Sequence, residues 1–168
     1  GISISKDDGY TWSTVKKLYD FGRHHPSLLL MPNGDIVMTY VVRAGYVDDK
    51  NGFPQFGIEA VVSHENGQTW DLDHRYILHT WVGNRKGPRD HYAGPYNASS
   101  SLLPDGSLIT AFGTGYRSQL GLNEKRQFAP RDLGLVRWRL NTKPVNTDRT
   151  MRDAAFDSKL RNILDPLP

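Results

Sequence analysis

The feature that most constrains this chain is a turn motif written twice: Ser5-Lys6-Asp7-Asp8-Gly9-Tyr10-Thr11-Trp12 and Ser63-His64-Glu65-Asn66-Gly67-Gln68-Thr69-Trp70. In such a turn the acidic side chain accepts hydrogen bonds from backbone N–H groups of its own loop. The glycine permits a left-handed backbone, the Ser and Thr hydroxyls close the loop, and the Trp packs under it. Too many positions are specified together for the first copy to be a chance turn. The second carries Glu65 where the first has Asp7, a longer acid that must reposition. A turn used twice implies a unit used twice, and repeats decide architecture before any local propensity does.

Each copy is followed by an apolar run closed by a Pro-x-Gly turn: Leu28-Leu29-Leu30-Met31-Pro32-Asn33-Gly34 and Ser101-Leu102-Leu103-Pro104-Asp105-Gly106. Asn33-Gly34 and Asp105-Gly106 are expected to supply the two φ > 0 positions of tight hairpins. The strands then read roughly 2–5, 13–18, 27–31, 35–42, 57–63, 74–79, 98–103, 107–113 and 133–140. That is the end of one four-stranded blade, one whole blade and three strands of another, about half of a six-bladed β-propeller. Because the reading opens inside a unit, the expectation is a fragment, or a fold completed by strands from elsewhere. The 16 glycines and 10 prolines, spread along 168 residues, suit many short strands, and 11% aromatic content excludes a disordered chain. The fold class expected is therefore all-β, with incomplete propeller blades over 1–140 and a C-terminal extension over 141–168. In that extension Phe156, Leu160, Ile163 and Leu164 recur at helical spacing, which predicts a short helix packed on the last blade.

No stretch approaches the roughly 18 to 20 apolar residues that cross a bilayer, and the first residues lack the basic and apolar regions of a secretory leader. No membrane span is expected. Zero cysteines exclude a disulfide scaffold and a thiolate metal site, and leave the redox compartment open. The net charge of +3 is carried by scattered basic residues, which does not suit nucleic acid but leaves room for a positive cleft taking a small anion.

In an antiparallel meander the Pro-x-Gly turns and the acidic turns share one end of the sheets. The other end receives the longer connections, 20–26, 43–56, 79–97 and 115–131, and irregular loops on a rigid scaffold are where a site belongs. These connections hold His24, His25, Arg43, Arg89, Asp90, His91, Tyr96 and Arg117. The third of them interleaves Arg85, Lys86 and Arg89 with aromatics, a mix that suits a carboxylated sugar; solvated loop tips with ordinary surface charge are the alternative. The adjacent His24 and His25 would point to opposite faces of a strand and have no third ligand at metal-site spacing, so neither a metal nor another cofactor is expected. One of the two entering the cleft, as a polar contact or proton donor, is the better reading.

The two acidic turns, called Asp boxes, together with His25-Pro26 leading into the first hairpin, Ser99-Ser100-Ser101-Leu102-Leu103-Pro104-Asp105-Gly106 and Leu135-Val136-Arg137-Trp138, resemble the sialidase (neuraminidase) superfamily, in particular its bacterial BNR-repeat exo-sialidases. The likeness covers 1–140. It implies retaining hydrolysis of a terminal sialic acid. Three arginines would clamp the sugar carboxylate, a tyrosine paired with a glutamate would attack the anomeric carbon, and an aspartate would protonate the leaving group, a known exception to the paired-carboxylate scheme. It also implies an extracellular or periplasmic setting.

Carried over position by position, the family glutamate falls on His25, and the family tyrosine falls on Asn97, with Tyr96 one step earlier. Arg43 stands in for one arginine, and Glu59 occupies the place where another is expected. The aspartate and the first arginine would belong to blades outside this sequence. The resemblance thus implies an enzyme with Tyr96 and His25 as catalytic candidates. Arg43, Arg117, Arg89, His24, Asp90 and His91 are then substrate-binding candidates for an acidic sugar or glycan, with the missing blades supplied by the same protein. The alternative is a propeller that binds glycans, or partners, without turnover.

Overall fold

A computed structural model describes residues 1–82, 96–113 and 133–141. Among them the chain is all-β, in two antiparallel sheets. The first sheet has the order β1-β2-β3-β4, from β1 (Arg23–Leu30), β2 (Ile36–Val42), β3 (Gln55–Ser63) and β4 (Asp71–Val82). The second has the order β5-β6-β7, from β5 (Tyr96–Leu102), β6 (Leu108–Gly113) and β7 (Leu133–Trp138). Among the described residues no helix is long and apolar enough to cross a membrane. The helix expected within 151–164 falls outside the described residues.

The two Pro-x-Gly hairpins form where the sequence places them, with a different turn chemistry. The Gly34 amide donates to Met31 O at 2.9 Å and the Gly106 amide to Leu103 O at 2.9 Å, and only the glycines have positive φ, 90° and 78°. Asn33 and Asp105 do not share it. This is a Pro-led turn followed by one left-handed glycine, the three-residue hairpin loop, because proline fixes the first central residue at negative φ. Asp105 Oδ1 then accepts from the Ser107 amide at 3.0 Å and hydroxyl at 2.6 Å. Those hydrogen bonds, reinforced by Arg137, hold its carboxyl well below the usual carboxylate range.

The first acidic turn closes through the hydrogen bonds read from sequence, although Trp12 is largely exposed rather than packed under it, and the second keeps only part of them. Asp7 accepts from the Thr11 amide at 2.8 Å, the Thr11 hydroxyl at 2.6 Å and the Ser5 hydroxyl at 2.8 Å. The Gly9 amide donates to Ser5 Oγ at 2.8 Å, and the Trp12 indole to Gly9 O at 3.1 Å. In the second copy the Gly67 amide bonds Ser63 Oγ at 2.8 Å and Trp70 bonds Gly67 O at 3.0 Å. Glu65 keeps the Thr69 hydroxyl, at 2.8 Å. Its extra methylene carries the carboxylate past the amide that Asp7 reaches in the first copy. Ahead of β1, the stretches 2–5 and 13–18 are joined by a single bridge between Ile2 and Lys16 rather than by a full strand pair.

Apolar alternation sets the core. Val37 and Val41 of β2 and Phe56, Ile58, Ala60 and Val62 of β3 face the second sheet, meeting Ala98, Leu108 and Phe112. Each buried Val, Ile, Leu or Phe among them contributes about 1.5–3 kcal/mol. Met38, Tyr40, Val42 and Val61 point the other way and are covered by Leu18, Tyr19, Tyr46, Trp70 and Leu72. The central strands β2 and β3 are therefore buried on both faces, which explains their near-continuous apolar sequence. Between the sheets runs a chain of hydroxyls: the Trp138 indole to Thr110 Oγ1 at 2.9 Å, Thr110 to Ser100 Oγ at 2.8 Å, and Ser100 to Thr39 Oγ1 at 3.2 Å.

Candidate functional site

Strand register separates the two ends of the sheets. Leu30 pairs with Ile36, Ile36 with Ser63, and Val62 with Asp71, so the first Pro-x-Gly turn and the second acidic turn lie together. His64 Nδ1 and Asp35 Oδ1 bond there at 2.7 Å. At the opposite end stand the start of β1, the 43–54 connection, the end of β4 and the start of β5. The sequence-derived division into a turn end and a loop end holds. The strands, however, extend further into the loop end than read: β1 already includes His24 and His25, and β4 runs to Val82.

His25 lies in a bulge of β1, with the pairing slipping between His24 opposite Val41 and Ser27 opposite Thr39. Its φ is 52°, in the left-handed region that non-glycine residues seldom occupy. Asn97 occupies the corresponding point of β5, with φ 46° and the same kind of slip between Tyr96 opposite Gly113 and Ala98 opposite Phe112. The repeat thus includes its irregularity, which re-aims one side chain at the loop end of each first strand. Simple alternation does not hold through this bulge, so His24 and His25 need not face apart; their ring centroids are 6.1 Å apart. Among the described residues no three His, Asp or Glu side chains gather as a metal site requires.

Arg43, the first residue after β2, brings Nη2 to 3.2 Å from His25 Nε2. A guanidinium can only donate, so in this arrangement Nε2 is the acceptor and the imidazole proton sits on Nδ1. The backbone beneath is interlocked. The Arg43 amide donates to Gly22 O at 2.8 Å, and Arg23 Nη1 donates to Ala44 O at 3.4 Å. Gly22, with φ 77°, is so close that an added Cβ would fall 2.5 Å from Ala44 O. Beyond it the connection folds on Asp49, whose Oδ1 accepts from the amides of Asn51 and Phe53 at 2.9 and 2.8 Å. His79, at the end of β4, stacks on Phe112 at 5.4 Å.

Sequence reasoning marked Glu59 only as standing where an arginine is expected, and missed the buried network around it. It sits mid-strand in Phe56-Gly57-Ile58-Glu59-Ala60-Val61 and is only 1% exposed. Tyr46 Oη donates to its Oε1 at 2.7 Å and Tyr40 Oη to its Oε2 at 2.9 Å, while Tyr19 and Tyr40 share a bond at 2.7 Å. Arg23 lies 4.7 Å above the Tyr19 ring. Burial, and then the negative charge of Glu59, push the Tyr40 and Tyr46 phenols well above their ordinary value. Both phenols therefore stay neutral and donate to the Glu59 carboxylate.

Of the residues singled out from sequence, His24, His25 and Arg43 come together at the loop end. Tyr96 begins β5 at the position equivalent to His24, and its side chain lies outside the described residues, as do Arg89, Asp90, His91 and Arg117. No protein-family model matches the chain, and no curated protein matches it.

Proposed function

We propose that this chain is part of a sialidase-like β-propeller glycoside hydrolase whose loop end takes a terminal sialic acid, or a related acidic sugar, from a glycan. The observation that carries the reading is the repeated left-handed bulge, which sets His25 and Asn97 at corresponding points of two first strands, with Arg43 at 3.2 Å from His25. Support for a ring of blades comes from the packing: β1 lies along β5, whereas β4 and β7 meet at few points, as when inner strands converge on an axis and outer strands splay. The remaining blades belong to the same protein in this reading. Arg43 offers the sugar carboxylate a planar pair of donors. Tyr96 is the candidate nucleophile and His25 its candidate partner. Arg89, Arg117, His24, Asp90 and His91 are the further sugar contacts.

A second reading, glycan binding without turnover, is favoured by one specific observation. The two bulge positions, where the family resemblance would put a glutamate and a tyrosine, hold His25 and Asn97. Release of fluorophore from a sialoside by the whole protein separates the two. We expect Tyr96→Phe to lower that release by at least about 100-fold. Undiminished turnover removes Tyr96 from the mechanism, and glycan retention without any release establishes the second reading.

A further inference from the structure

We infer that Glu59 and Tyr46 are positioning residues for Arg43, fixing its guanidinium at the sugar-binding end through the 43–46 stretch; this rests on the acidic-sugar reading above. A carboxylate in the middle of an apolar strand is expensive, and a sheet that needed only packing would be better served by an apolar residue there. Glu59 is instead satisfied by one phenol on each oxygen, and the two phenols do different things. Tyr40 belongs to β2 and is placed by the sheet itself, opposite Glu59. Tyr46 belongs to the connection, where an isolated backbone bridge, its packing on the sheet and its bond to Glu59 hold it.

The seat for Tyr46 is built. Its ring lies on Gly57 of β3, where a Cβ would fall 2.6 Å from Oη and 2.7 Å from Cε2. From Tyr46 the chain runs back through Gly45, with φ 110°, to Arg43, whose amide is bound to Gly22 O. The stretch is therefore clamped at one end by Gly22 and at the other by Glu59, with a permissive glycine between. Releasing the Glu59 clamp frees Gly45 to turn, and the guanidinium leaves its place at 3.2 Å from His25 Nε2.

The test compares three variants of the full chain. Tyr46→Phe removes the clamp. Gly57→Ala displaces the Tyr46 ring while leaving the phenol intact. Tyr40→Phe removes a hydrogen bond from the same carboxylate, together with the bond to Tyr19, while leaving the Tyr46 phenol and its seat on Gly57 in place. The readouts are the ¹⁵N resonance of His25 Nε2, affinity for N-acetylneuraminic acid and the thermal midpoint. Tyr46→Phe and Gly57→Ala should shift the His25 resonance and weaken sugar binding by about tenfold. Tyr40→Phe should lower the midpoint comparably while leaving the resonance unmoved and the affinity within about twofold. An unmoved His25 resonance in Tyr46→Phe overturns the inference, as does an equal shift in Tyr40→Phe, which would make the network a matter of stability alone. If Tyr46→Phe does not fold, Gly57→Ala decides by the same resonance. If the whole parent protein, with its remaining blades, does not bind the sugar, the acidic-sugar reading fails, while the His25 resonance still decides whether Glu59 and Tyr46 place Arg43.

Discussion

Replacing Ser100 by alanine tests whether the buried hydroxyls between the sheets act as one directed chain. Trp138 Nε1 has a single proton and gives it to Thr110; Thr110 then gives its own to Ser100, and Ser100 gives its own to Thr39. Thr39 and Thr110 are fully buried and Ser100 nearly so. Ser100→Ala takes the donor from Thr39 Oγ1 and the acceptor from the Thr110 hydroxyl. Two bonds at about 1 kcal/mol net each, plus part of the penalty for leaving buried hydroxyls unpaired, give a loss of about 2–4 kcal/mol. Thr39→Val is isosteric and removes only the last acceptor, so it should cost about 1–2 kcal/mol. In that background Ser100→Ala has one bond less to break, and the double-mutant cycle should return a coupling of about 1 kcal/mol. Urea denaturation reads these values from the midpoint at unchanged slope. A cost below about 0.5 kcal/mol for Ser100→Ala, or strict additivity in the cycle, would refute the directed chain.

Other outcomes follow from the turns and the packing. Asp35 has its carboxyl lowered: burial opposes this, but the hydrogen bonds from His64 and Asn33 outweigh it. Its contribution is therefore present above the ordinary carboxylate pKa of about 4 and is lost as pH falls through the lower folded value. His64→Ala should flatten the acid limb of the stability–pH curve, and an unchanged limb would show that the pair carries no linkage. Glu65→Asp should recover the Thr69 amide bond that Asp7 makes in the first copy and raise stability by about 0.5–1 kcal/mol in urea melts; a loss would mean that the second turn is built around the longer acid. Gly134→Ala would drive a methyl to 2.5 Å from the Phe112 ring and should cost about 1–3 kcal/mol, with Phe112→Leu relieving part of it. Full cost in the double variant would place the clash elsewhere.

The hairpins were legible because their information is local: a proline, a glycine and flanking apolar runs specify a turn with no knowledge of the rest of the fold. The same locality misleads on turn type: Asn33-Gly34 alone implies two positive φ angles, whereas Pro32 fixes the first central residue at negative φ and leaves only Gly34 left-handed. The acidic turns were legible for the same reason, down to the single backbone bond that Glu65 does not make. The bulges were not, because a slip in register is a property of two strands and appears only when His24 and Ser27 are set against Val41 and Thr39. Glu59 carried a visible sign, an acid inside an apolar strand. Its partner Tyr46 comes from a connection whose path no periodicity describes, so the sign pointed nowhere until the loop was folded.

The left-handed bulge imposes a filter that acts ahead of any chemistry. A residue at φ near 50° carries a steric cost of roughly 1–2 kcal/mol unless it is glycine or one of the short polar types that tolerate the conformation, Asn, Asp and His among them. Positions 25 and 97 hold two of those. The backbone of each first strand therefore narrows the vocabulary at the loop end to imidazole, amide and short carboxylate. Members of that set can be exchanged between repeats with the scaffold left intact, whereas a bulkier catalytic group at either point would have to offset the strain from its own function.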